Sequence, residues 1–144
     1  MQALPDGNSA CGMVLNMAEF YEPALTWREI TADKLPTVAK EMHDGGHRLL
    51  QLFCSFINQT YEIVYMFDMG NYSVEHVKVI AEPDELVPSI GEFYPYATPY
   101  ENEAIELFGV RINVAMDGYR HRLYRIEDET PYVSEYDKAG FKRV

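Results

Sequence analysis

Residues 48–80 read RLLQLFCSFINQTYEIVYMFDMGNYSVEHVKVI, and the alternation of side chains along them decides the fold. Successive residues of a strand point to opposite faces of its sheet. Arg48–Phe56 therefore places Leu50, Leu52, Cys54 and Phe56 on one face. Tyr61–Phe67 does the same with Ile63, Tyr65 and Phe67, and Ser73–Ile80 aligns Val77 with Val79. Asn58-Gln59 and Gly70-Asn71 mark the breaks. Connections this short force antiparallel neighbours, so the stretch predicts a meander with one face covered by helix. The expected class is α+β: an antiparallel sheet of three to four strands covered by helices, with an extended C-terminal arm.

Upstream, Thr26–Ile30 (TWREI) is a candidate fourth strand. Asp33 is placed to cap a helix over Lys34–His43, in which Leu35, Val38, Ala39 and Met42 form one buried stripe. Pro36 falls in the first turn, where it is tolerated, and Gly45-Gly46 supplies the stop. Downstream, Ala81–Pro88 is acidic, punctuated by proline, and reads as a loop. Thr98-Pro99-Tyr100-Glu101 reads as a capping box opening a helix that ends at Gly109. Tyr100, Ala104, Leu107 and Phe108 lie on one side of it. Tyr119–Ile126 is a strand or an extended arm. The division that follows is an irregular lead-in over 1–25, one domain over 26–126 and a C-terminal segment over 127–144.

Composition narrows the functional classes. The 144 residues suit one domain, and a hydrophobic content of 47% argues against general disorder. A net charge of −11 disfavours nucleic acid and bare anionic membrane as partners. The charge is uneven: residues 1–110 carry 5 Lys/Arg against 17 Asp/Glu, residues 111–144 carry 7 against 6. Two cysteines, Cys11 and Cys54, form no C-x-x-C pair and suggest a reducing compartment. No apolar run approaches the ~20 residues that span a bilayer, and no signal peptide is read, so membrane association is expected only through a partner protein.

Few residues offer chemistry. Glu101, Glu103 and Glu106 are the densest carboxylate group, and a hydrolase would use two of them as acid and base. Helical spacing puts Glu103 and Glu106 on one flank and turns Glu101 toward the positive end of the helix dipole, which favours a solvated or docking face over catalysis. His43 and His47 stand four apart, but Gly45-Gly46 between them breaks the helix that would make them a metal pair. His76 alternates within a strand and reads as a surface or satisfied histidine. Arg120, His121, Arg122 and Arg125 form a basic patch, read equally as a solvated face or as a dock for an acidic partner. No catalytic, cofactor-binding or metal-binding residue is assigned.

Val87-Pro88-Ser89-Ile90, Phe93-Tyr94-Pro95-Tyr96-Ala97, Tyr100-Glu101-Asn102-Glu103 and Glu106-Leu107-Phe108-Gly109-Val110 together resemble the signature of the 30 kDa subunit family of NADH:quinone oxidoreductase. The resemblance covers about residues 26–126. Asn102 stands where that family usually has Arg, and Glu106 where it usually has Asp. Gly118–Ile126 lacks the proline of the family's Gly-His-Pro run, and the respiratory subunit's usual ending is absent. These departures are more similar to the corresponding subunit of energy-converting [NiFe] hydrogenases.

The resemblance implies a structural subunit without flavin, iron–sulfur cluster or nickel. Its implied partners are the large [NiFe]-hydrogenase-like (49 kDa-like) subunit and the iron–sulfur small subunit, on the cytoplasmic side of a membrane-bound complex. The expected partner-facing residues are Tyr100, Glu101, Glu103, Glu106, Phe108, Gly109, Arg120, Arg122 and Arg125. Beside this stand a quinone-reductase subunit, a free-standing acidic binding module, and an independent hydrolase using the glutamates.

Overall fold

The computed structural model describes residues 24–114, 123–124 and 127–133. Four strands, β1 (Leu25–Ile30), β2 (Arg48–Ile57), β3 (Thr60–Gly70) and β4 (Ser73–Ala81), form one sheet in the order β1-β4-β3-β2. The expected meander is present, with β2, β3 and β4 antiparallel neighbours. β1 closes the sheet by pairing parallel to β4, with Trp27 opposite His76 and Arg28 opposite Val77. That connection requires a crossover, which helix α1 (Leu35–Asp44) supplies between β1 and the far edge strand β2.

Asn58 and Gln59 both adopt positive φ, so β2 and β3 meet in a two-residue turn that matches the twist of the strands. The second turn sits one residue later than expected. Asn71 and Tyr72 hold the left-handed angles, and the Asp68 carboxylate accepts the Gly70 N–H at 2.9 Å.

The inward faces of β3 and β4 are as expected: Ile63, Tyr65, Phe67, Val77 and Val79 are wholly buried. β2 departs from simple alternation. A register shift between Leu49 and Gln51 turns Leu49 inward, 3% exposed, and leaves Leu50 outside at 37%. One inserted residue flips the face of everything before it, so Leu50 does not join Leu52 and Cys54 in the core.

α1 buries the expected stripe, Leu35, Val38, Ala39 and Met42. Asp33 does not cap it. A 3-10 turn over Ala32–Lys34 leads into the helix, and the residue preceding α1 is Lys34, without a side-chain cap. The turn's own bond, Lys34 N–H to Thr31 carbonyl at 3.1 Å, takes the place of a side-chain cap. Gly45-Gly46 ends the helix, leaving His43 in its last turn and His47 beyond the turn.

The second half of the domain folds onto this core as a loop and a helix. A short parallel pair, β5 (Val87–Pro88) and β6 (Ile112–Asn113), ties its two ends together. Between them run a 3-10 turn at Pro95–Ala97 and helix α2 (Thr98–Phe108), which packs on β2. Ile90, Tyr94, Ala97, Ala104 and Val110 join the core from this unit. Among the described residues, no helix is long and apolar enough to cross a membrane.

Candidate functional site

The first turn of α2 differs from a capping box. Thr98 is the first helical residue rather than the cap; Ala97 precedes the helix and provides no side-chain bond. The preceding 3-10 turn satisfies the backbone here too, through Ala97 N–H to the Tyr94 carbonyl at 2.8 Å. Glu101 is therefore free of the capping role and turns inward, 0% exposed. Its Oε2 accepts the Ser89 hydroxyl at 2.6 Å and its Oε1 accepts the Ile90 N–H at 2.9 Å. Ser89 Oγ in turn accepts the Gly91 N–H at 3.0 Å.

Burial pushes the Glu101 carboxyl above its ordinary range, and the bonds from Ser89 and Ile90 pull it back in part. Tyr65 lies fully buried within electrostatic reach; burial first, and the Glu101 charge second, hold its phenol well above the usual value. As folded, Glu101 is a tie between the 88–91 loop and α2, and its side chain offers no surface to a partner.

The C-terminal end of α2 is closed by three separate parts of the chain. Gly109 takes the left-handed conformation, φ 76°, and donates to the Ile105 carbonyl at 2.9 Å. The Tyr61 hydroxyl donates to the Phe108 carbonyl at 2.9 Å. The Tyr132 N–H donates to the Leu107 carbonyl at 3.1 Å, and its ring meets Phe108 edge-on at 5.4 Å. Three of the carbonyls at this helix end, those of Ile105, Leu107 and Phe108, are thus engaged.

Glu103 and Glu106 share a flank, as their spacing predicts, but neither is merely solvated. Glu106 accepts the Leu123 N–H at 2.6 Å and the Tyr124 N–H at 3.0 Å, one on each oxygen. Glu103 accepts the Tyr124 hydroxyl at 2.7 Å, and that bond raises the Tyr124 phenol. Two carboxylates thus hold one point of the chain that follows β6. Arg120, His121, Arg122 and Arg125 of the basic patch lie outside the described residues.

Between β2 and α2 opens a cleft of about 210 Å³, lined among others by Gln51, Phe53, Cys54, Tyr100, Leu107 and Tyr132. Tyr100 is exposed at its mouth, while Phe108 is half-buried. Burial pushes the Cys54 thiol up to about 12, so at neutral pH it is no nucleophile.

Among the described residues no group of three His, Cys, Asp or Glu side chains is placed to hold a metal. His43 sits against Phe93 and Tyr94. His76, expected to be either at the surface or satisfied, is 7% exposed and stacked under Trp27 at 4.3 Å, and its Nδ1 has no hydrogen-bond partner. Neither the contact of His76 with Trp27 nor the inward turn of Glu101 carries a local sequence signal, because both depend on which strand or loop lies alongside.

The polar groups around α2 serve to bind this chain's own loops, and the exposed side chains beside them are aromatic. Residues 28–138 match the family described as the respiratory-chain NADH dehydrogenase 30 kDa subunit, and the chain belongs to that family. No functionally curated protein matches it. Among solved structures, a chain of the membrane-bound sulfane sulfur reductase, an archaeal respiratory membrane complex, superposes with a TM-score of 0.67. The identity is 18%, over 95% of this chain and 91% of that one. The shared fold at this low identity agrees with the α+β class read from the strand pattern.

Proposed function

We propose that this chain is a cofactor-free structural subunit of a membrane-bound, energy-converting oxidoreductase of the [NiFe]-hydrogenase type. In this reading it packs against the large catalytic subunit and the cluster-carrying small subunit, on the cytoplasmic side. The observation that carries it is the arrangement at α2 in a member of the 30 kDa subunit family. Glu103 and Glu106 hold the chain at Leu123-Tyr124, the sequence neighbours of Arg120, Arg122 and Arg125. Tyr100 and Phe108 line the cleft between α2 and β2, and Gly109 sets the turn that ends the helix.

Arginine's planar fork favours bidentate pairing with carboxylates, which gives Arg120, Arg122 and Arg125 an acidic surface of a neighbouring subunit as their natural contact. Glu101 holds the first turn of α2 to the 88–91 loop from inside. The sulfane sulfur reductase neighbour lends the membrane-complex reading support from fold alone. A subunit of an NADH:quinone oxidoreductase is the second reading, favoured by the description of the matched family.

Affinity purification of the tagged chain from native membranes decides between them. Recovery with a large subunit carrying paired Cys-x-x-Cys motifs supports the hydrogenase type, and recovery with a quinone-reductase set supports the second. Stoichiometric metal or flavin in the chain purified alone, or turnover by it, would overturn both.

A further inference from the structure

The sheet has two edge strands, β1 and β2, and they differ in kind. β1 carries Arg28 and Glu29, charges of the sort that blunt an edge against further pairing. β2 from Leu49 to Ile57 reads LLQLFCSFI, with no charged residue and no proline. A long uncharged edge strand is a template for another strand. Which of its backbone groups are on offer follows from the hairpin. Ile57 and Thr60 face each other across the two-residue turn, the position at which the strands of a hairpin bond to each other. Bonded and unbonded pairs alternate from there, and the register runs unbroken from Ile57 back to Gln51. Ser55, Phe53 and Gln51 therefore bond to β3, while Cys54 and Leu52 turn their N–H and C=O groups to the edge. No described residue outside the sheet bonds to those groups. At the far end the Leu49 N–H already donates to the Tyr96 hydroxyl at 3.1 Å, which closes the open stretch there.

The cleft between β2 and α2 lies along this stretch. Residues 51–54, four in succession, line it together. A cleft over one face of a strand would meet only alternate residues, so this one runs beside the edge. Across it stand Tyr100, Glu103 and Phe108 of α2, with Tyr132 beside them. Residues 51–54 extend about 10 Å and Tyr100 to Phe108 about 12 Å along the helix, which is room for an extended segment of a few residues. The volume of about 210 Å³ is below the roughly 300–1,000 Å³ of sites that take drug-sized ligands. Glu103 is the one charged side chain in the lining, and α2 carries Glu101, Glu103 and Glu106 without any Lys or Arg. The Oε1 of Glu103 accepts the Tyr124 hydroxyl, and its Oε2 bonds to no described residue.

We propose that this cleft takes an extended segment of a partner protein as a fifth strand along β2. The main chain of that segment bonds to Leu52 and Cys54, its apolar side chains meet Tyr100, Phe108 and Tyr132, and a Lys or Arg on it reaches Glu103. Main-chain bonds to an edge strand supply affinity, and side-chain contacts select the partner; a carboxylate in an aromatic lining selects a cation, arginine above all. The proposal deepens the subunit reading above and rests on it for the existence of a partner.

Amide hydrogen exchange of the full chain, alone and in its affinity-purified complex, tests this. Alone, the Leu52 and Cys54 amides should exchange fast and those of Gln51, Phe53 and Ser55 slowly. In the complex the first two should become protected. With p-benzoylphenylalanine substituted for Tyr132, irradiation of the complex should cross-link a segment of another subunit that contains Lys or Arg. Phe53→Lys places a charge on the edge and should reduce the protection of Leu52 and Cys54 several-fold. Tyr132→Lys takes its place if far-UV circular dichroism shows that Phe53→Lys has not folded. Protection of both amides in the isolated chain overturns the proposal: if it survives dilution the edge belongs to this chain itself, and if it is lost on dilution, to a second copy. A cross-linked segment without a basic residue, or undiminished protection in the folded variant, also overturns it. Partners recovered while Leu52 and Cys54 still exchange fast overturn it and leave the subunit reading standing. A chain that recovers no other subunit overturns both.

Discussion

Glu101 Oε2 and Ser89 Oγ meet at 2.6 Å across twelve positions of sequence, with Glu101 wholly buried and Ser89 half-buried. The contact joins two elements of the family signature, the Pro-Ser-Ile loop and the glutamate-rich helix, that look independent when read along the chain. It makes the helix face that carries Tyr100 and Glu103 depend on a buried acid.

Removing that acid should therefore be costly. Glu101→Ala leaves the Ile90 N–H and the Ser89 hydroxyl enclosed without an acceptor, and is expected to destabilise by about 2–3 kcal/mol. Glu101→Gln keeps the shape and one acceptor, and should cost under about 1 kcal/mol. The pH dependence separates them further. Burial raises the Glu101 carboxyl above its ordinary value, so the folded chain holds the proton more tightly than the unfolded chain does. Its contribution is full below the ordinary glutamate range and declines as pH rises through the raised value. Urea melts over roughly pH 4 to 7 should show Glu101→Gln gaining on wild type as pH increases. A difference flat with pH would remove the burial argument.

Tyr61 gives the opposite end of the scale. Its hydroxyl closes the Phe108 carbonyl at the end of α2, so Tyr61→Phe should cost about 1 kcal/mol near neutral pH. Burial, and then the nearby Cys54, push its phenol from 10.0 up to about 12. The unfolded chain ionises first, so this stability is present below the ordinary tyrosine value and is lost as pH rises through the folded one. The gap between wild type and Tyr61→Phe should close in alkaline solution, as read from midpoints of chemical denaturation. A gap that widens there would contradict it.

Two glycines with nearly the same backbone angle should respond differently to alanine. Gly46 and Gly109 have φ of 74° and 76°. A Cβ on Gly46 meets nothing within 4 Å, whereas one on Gly109 would lie 2.7 Å from Thr130 Cγ2. Gly46→Ala should cost about 1 kcal/mol from the angle alone, and Gly109→Ala about 2–3 kcal/mol from angle and clash together. Adding Thr130→Ser to Gly109→Ala removes the clashing methyl and should recover part of the loss. No recovery would place the strain elsewhere.

These residues also mark how far the sequence could be read. Periodicity located both principal helices and the meander, because the stripe Leu35, Val38, Ala39, Met42 and the rows Ile63–Phe67 and Val77–Val79 each repeat a local spacing. The bulge beside Leu50 escaped it, since a register shift is set by the partner strand, here Phe67 and Met66 of β3, and leaves no local pattern. Asp33 and Thr98 do not cap for one reason: at each a 3-10 turn leads into the helix. Charge normally means exposure, and only the approach of the 88–91 loop makes Glu101, alone of the three glutamates, interior.

The final prediction concerns Glu103 and Glu106. Both are replaced by Gln, which keeps their size and removes their charge. Both are half-buried on the flank of α2 and outside the core, so the stability of the isolated chain should fall by no more than about 0.5 kcal/mol for each. What they hold is local: Glu106 accepts the Leu123 and Tyr124 N–H groups and Glu103 the Tyr124 hydroxyl. A glutamine retains one oxygen, so one of the two Glu106 bonds is lost and the rest lose their charge assistance, which roughly doubles a hydrogen bond's strength. The chain at Leu123-Tyr124 should open more often, and chymotrypsin should cut there faster than in wild type while the sheet remains protected. Under the docking reading the same variant is recovered less well with its complex, because Leu123-Tyr124 is no longer held against α2. Faster cleavage with undiminished recovery would confine the two glutamates to an internal clamp. Unchanged cleavage would show that the clamp does not hold the segment at all, and a collapsed melt would mean that the segment supports the core.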